Sequence, residues 1–111
     1  MKNNEDKVYD FKDYIYSFHL NKTSLFIGTY QNLKVMNILT NGVQELRSIS
    51  DTIFEIKSQS NIFMQSLDKI YVIDDSNNVV KIISMNFNIR YFKLFNDEIF
   101  ILGDHQIQMI F

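Results

Sequence analysis

The chain has 111 residues, 46% of them hydrophobic and 22% charged, the proportions of one folded domain and not of a disordered segment. It contains no Cys, Pro, Trp or Ala, which excludes disulfides, thiolate metal sites and covalent haem attachment, while its sixteen Ile and ten Phe suit a pleated, half-buried surface better than a helix. A net charge of −2 and a pI near 5.6 exclude a globally basic binder of nucleic acid, and no nucleic-acid partner is expected.

Residues 1–13, MKNNEDKVYDFKD, hold no apolar run of the length a secretory leader needs, so cytoplasm or nucleus is the expected compartment. Within this polar segment Lys7-Val8-Tyr9-Asp10-Phe11 alternates briefly and is a candidate outer strand. Further on, strands are expected at 14–19, 24–29, 33–38 and 43–48, then at 52–57, 61–66, 69–74 and 79–84, and finally at 89–94, 98–102 and 106–111. Turn-forming clusters separate them: Asn21-Lys22-Thr23, Asn41-Gly42, Ser58-Gln59-Ser60-Asn61, Asp75-Ser76-Asn77-Asn78, Asn96-Asp97 and Gly103-Asp104. Asn41-Gly42 is the most specific, because both residues tolerate the positive φ of a two-residue type I′ turn. Asn21-Lys22-Thr23 has the form of a glycosylation acceptor and reads as a hairpin tip. Charged or amide residues interrupt every apolar segment, so no membrane insertion is expected.

Laid on itself at an offset of 37 residues, the chain repeats. Leu25-Phe26-Ile27 falls on Ile62-Phe63-Met64 and on Ile99-Phe100-Ile101. Without a gap, Leu33, Val35 and Met36 then fall on Ile70, Val72 and Ile73, and on Ile107, Met109 and Ile110. Phe26, Phe63 and Phe100 share one column, and all three are expected to be buried. Four antiparallel strands in roughly forty residues is the spacing of a propeller blade, whose faces are buried only when blades stack side by side. The fold class read from this pattern is all-β, with antiparallel β-propeller-type blades forming a partial propeller. Its blades span approximately 14–48, 52–84 and 89–111 of a single repeat domain, 14–111.

From about Tyr14 onward the chain resembles the WD-repeat propellers. Phe26-Ile27-Gly28-Thr29 followed by Leu33-Lys34-Val35-Met36-Asn37 is similar to that family's second and third strands, and Ile38-Leu39-Thr40-Asn41-Gly42 to its exit turn. Where the family places Trp-Asp, this chain has Met36-Asn37, Ile73-Asp74 and Ile110-Phe111. Only Ser66-Leu67-Asp68 matches the family's Ser-x-Asp, and no Gly-His opens a blade. The resemblance implies a scaffold for protein partners, and a ring closed by an N-terminal segment that completes the last blade; Lys7–Phe11 is the segment available. Three blades fall below the four to eight of a closed propeller. A larger propeller subunit supplying the missing blades, or a homodimer of six blades, would complete the ring.

No constellation supports catalysis. His19 and His105 lack a second His or a carboxylate at a metal-binding spacing, Asp74-Asp75 and Asp97-Glu98 read as solvated turn charges, and no Gly-x-Ser-x-Gly elbow or phosphate-cradling loop is present. Arg90-Tyr91-Phe92-Lys93 mixes basic and aromatic residues, but a strand sends alternate members to opposite faces. The reading is therefore a non-enzymatic protein–protein interaction scaffold, with no cofactor and no metal. Lys22, Asn41, Asp75, Asn77 and Asp104, at the expected hairpin tips, are the candidate partner contacts. The rival reading is a small β-barrel or sandwich that binds a ligand or nucleic acid.

Overall fold

The computed structural model describes residues 6–96 and 98–110, and every regular element among them is a strand. Sheet one is β1 (Ser17–Asn21), β2 (Ser24–Thr29), β3 (Asn32–Asn37) and β4 (Val43–Glu45). Sheet two is β5 (Glu55–Ser58), β6 (Ile62–Gln65), β7 (Lys69–Ile73) and β8 (Val79–Ser84), and sheet three is β9 (Tyr91–Phe95), β10 (Glu98–Leu102) and β11 (Ile107–Ile110). Each sheet is an antiparallel meander in chain order, four, four and three strands wide. These are propeller-type blades. Three separate sheets packed face to face in an arc are neither a closed barrel nor a two-sheet sandwich, which removes the architecture of the rival reading.

The 37-residue repeat is realised strand for strand. Its two apolar blocks are the second and third strands of each sheet, and Phe26↔Val35, Phe63↔Val72 and Phe100↔Met109 are register partners in the three sheets. Each blade also opens on the same backbone bond: Tyr16 N–H donates to Gly28 O, Phe54 N–H to Gln65 O, and Arg90 N–H to Leu102 O, all at 2.8 Å.

Directly opposed residues in an antiparallel pair share a face, so the register assigns every side chain to one side of its blade. Phe26, Leu33 and Val35 point from sheet one toward sheet two, where Ile56, Ile62, Met64, Tyr71 and Ile73 meet them in one core. Phe63, Ile70 and Val72 point from sheet two toward sheet three, where Phe92, Ile99 and Ile101 form the second core. Period 2 with apolar residues on both faces thus makes the middle blade a member of both cores.

Several expected details differ. The fourth strand ends at Glu45, not 48: Leu46 N–H makes one last bond to Leu33 O at 2.9 Å, after which the chain turns so that Leu46 and Ile49 plug the first core, and β5 begins at Glu55, not 52, because Ile53 packs into that core too. The turn at Asn41-Gly42 is not type I′: Asn41 has φ 63° but Gly42 does not have a positive φ. Instead Asn37 Oδ1 accepts from the N–H groups of Leu39 and Thr40, making a longer Asx-capped loop that Asn41 reverses. The second repeat builds the same device, with Asp74 Oδ1 accepting from Ser76 N–H and Asn78 N–H and Asn77 at φ 62°. Of the Phe column only Phe26 is fully buried; Phe63 and Phe100 are half-buried. The column always points toward the next blade, and what lies there differs from repeat to repeat.

Candidate interaction surface

The first strand of each sheet adds polar contacts between the blades. His19, Lys57 and Lys93 pair with Phe26, Phe63 and Phe100 and so occupy one structural position, facing forward along the arc. His19 Nε2 shares a 2.9 Å hydrogen bond with Ser58 Oγ of the second blade. Lys57 Nζ donates to Phe92 O of the third blade at 2.7 Å and stands 3.7 Å from the centre of the Tyr91 ring. Lys93, the third member, makes no side-chain hydrogen bond or ion pair among the described residues. Ser17 Oγ adds a 2.6 Å bond to Ile53 O between the first two blades. The gapless overlay could not reveal this series, because the first strands slip relative to the repeat; the signal was the residue opposite each Phe.

Beyond Lys93 the forward face of the third blade is open. Phe95, Ile107 and Met109 are exposed there, Tyr91 and Leu102 only slightly less so, and Phe100 and Lys93 line a shallow apolar hollow with Leu102 and Ile107. The backward face of the first blade is different. Phe18 and Leu20 are exposed on it, but Ile27 and Met36 are buried, and Asp13 reaches across to Lys34 at 3.2 Å. Residues 7–11, the candidate closing strand, belong to no strand of this chain, and β11 has no fourth strand beside it among the described residues.

The hairpin-tip candidates divide between the two edges of the arc. Lys22, Asn41, Asp75 and Asn77 lie at the edge formed by the first and third hairpins of each blade, and Asp104 at the opposite edge, where its carboxylate is 3.8 Å from Arg90 Nε. The structure brings two of these regions together: Asn77 lines a cleft of about 370 Å³ with Asn37, Thr40 and Gly42 of the loop that Asn41 reverses. Lys22, Asn41 and Asn77 all have positive φ, so turn geometry already accounts for Asn at the last two. Asp75 is exposed, beside the Asx cap.

One polar cluster was missed by the sequence reading. Tyr71 OH donates to Asp51 Oδ2 at 2.5 Å, and Lys69 Nζ lies 3.3 Å from Asp68 and 4.0 Å from Asp51. Burial first, then the bond to Asp51 and the charges of Asp51 and Asp68, push the Tyr71 phenol well above its ordinary value of 10.0. That holds it as a neutral donor, a bridge between the connector and β7. Among the described residues no group of three or more His, Asp or Glu is placed to hold a metal.

Compared with known protein families and with curated proteins, the sequence matches none. Compared with solved structures, it is similar to the AfRom2 CNH domain, with a TM-score of 0.67 at 16% identity over 87% of this chain and 37% of that one. It is similar to Kluyveromyces marxianus Hsv2, with 0.56 at 13% over 87% and 35%. A chain of the S. cerevisiae complex of Dbp5 with Nup159, Gle1, IP6 and ADP gives 0.58 at 11% over 87% and 30%. These neighbours are propeller-type folds, and this chain spans about a third of the length of each.

Proposed function

We propose that the protein is a non-enzymatic scaffold whose propeller-type blades dock against other protein subunits. The observation that carries this reading is the forward face of the third blade: Ile107 and Met109 stand exposed in the columns that form cores between the other blades, with Phe95 exposed beside them. A contiguous apolar sheet face of that kind marks a protein interaction surface. The neighbours are propeller folds, one of them in a multi-protein complex, which agrees with a role of this class. The finer form of the reading is a degenerate WD-repeat lineage, supported by Asn37 and Asp74 at the family's Asp position, where each caps the exit loop of its blade. Lys22, Asn41, Asp75 and Asn77 would supply rim contacts at one edge, and Asp104 at the other.

The test is a photo-crosslinking residue at position 100, in the protein made in its own host. A covalent protein adduct that disappears when Ile107 is changed to Asp is the expected result. Protein that remains unlinked at position 100, while a control probe at the exposed position 81 behaves identically, would overturn the reading.

A further inference from the structure

We propose that the partner of the third blade is a second copy of this chain, docked head to tail so that two copies close a ring of six blades. The inference rests on the scaffold reading and names the occupant of its surface.

Each half of one interface leaves a position bare in the same molecule, although Ile27 and Met36 of the backward half are already covered within the chain. On the forward side, Leu33, Ile70 and Ile107 occupy one column; the first two are 0% exposed between blades, and Ile107 is 69% exposed. On the backward side, Phe18, Ile56 and Phe92 pair with Ile27, Met64 and Ile101 and are again one position. Ile56 and Phe92 are 4% and 1% exposed, and Phe18 is 71% exposed. The forward face that covers Ile56 and Phe92 is built on the columns of Phe26 and Phe63, and the third blade presents the same columns in Phe100 and Ile107. The contact needed to cover Phe18 is thus the one already made twice within the chain, which is continuity with an established interface and not a new surface.

The hydrogen-bonding series points the same way. His19 reaches Ser58, and Lys57 reaches the carbonyl of Phe92. Lys93 in the same position would reach the carbonyl of Phe18 in the second copy, since Phe18 stands where Phe92 does. Residues 7–11 precede β1 as β4 precedes β5, and Asp13 holds their end to the backward face. Docking brings that segment of the second copy to the free edge of β11, where it can add the fourth strand. Each copy contributes a forward and a backward face, so a two-fold axis makes the same contact twice and the pair closes on itself. Six blades lie within the range of closed propellers.

The chain has no cysteine, so two thiols can be placed without background. Lys93 and Leu20 hold the positions of His19 and Ser58, which touch between the first two blades. Leu20→Cys and Lys93→Cys, both at exposed sites, are purified separately and treated with a short bis-maleimide, alone and mixed. The mixture is expected to give about tenfold more linked dimer than either variant alone, and the unmodified protein to sediment at twice the 13.2 kDa chain mass. Equal linkage in mixed and single samples, or a ladder of higher multiples from a chain carrying both substitutions, would overturn the closed pair. A folded monomer that still gives a heterologous adduct from a crosslinker at position 100 would overturn self-pairing and leave the scaffold reading standing. A monomer with no adduct would overturn both.

Discussion

Gly28 lies so close to Ile53 that a single added carbon does not fit between them: a Cβ at Gly28 would stand 2.9 Å from Ile53 O and 2.6 Å from Ser17 Oγ. The Ser17 hydroxyl donates to that same carbonyl, so the first blade meets the connector to the second through one side-chain hydrogen bond and a close approach of the Gly28 backbone. Gly28 has an ordinary φ, and close approach alone explains it. Gly28→Ala is expected to cost about 1–3 kcal/mol through overpacking, read as a lower urea midpoint. A midpoint equal to that of the parent would refute the contact.

The three members of the Phe column should respond unequally. Phe26→Ala removes a ring fully enclosed in the first core and is expected to cost about 3–5 kcal/mol. Phe100→Ala, on the open face, is expected to cost only about 1 kcal/mol in the isolated chain. Equal losses for the two would mean that the forward face of the third blade is covered.

That inequality also shows where the sequence was legible. Alternation and the 37-residue offset were enough to place β2, β6 and β10 and their partners, because those strands carry apolar residues on both faces in every repeat. They could not separate Phe26 from Phe63 and Phe100, since burial depends on what the next blade places opposite. Asn41-Gly42 misled for a local reason. The Asn37 side chain caps the loop earlier, a contact four residues away that a dipeptide signal does not contain. His19, Lys57 and Lys93 were invisible as a series because different side chains make the same inter-blade reach.

Asn41 offers a test that separates turn geometry from partner contact. At φ 63°, Asn41→Gly should be tolerated with little change in stability, whereas Asn41→Val should lose about 1–2 kcal/mol because a β-branched residue is strained there. Thermal unfolding of the two variants reads the difference. Equal melting temperatures would remove the backbone explanation for Asn at this position.

Alkaline stability should depend on Tyr71. Its folded-state value is raised above the unfolded 10.0, so the folded protein holds this proton where the unfolded chain releases it. The stabilisation is complete below pH 10 and is lost progressively as pH rises beyond it. Tyr71→Phe removes the titrating group and should flatten that decline, at the cost of the bond to Asp51 near neutral pH. Denaturant midpoints at pH 8 and above pH 10 measure both effects; parallel curves for parent and variant would dismiss the role.

The membership of the second blade in both cores governs how the chain comes apart. Ile62, Met64 and Ile73 close one core, and Ile70 and Val72 the other, from opposite sides of the same two strands. Breaking either outer sheet away sacrifices one core, but no opening can free β6 or β7 without dissolving both. Amide hydrogens of β6 and β7 should therefore exchange slowest and together, near the global unfolding limit, while those of β4 and β11 exchange early through fraying. A repeat protein of this build erodes from its ends toward its middle, and any partner seated on an outer blade would slow exchange first at that end.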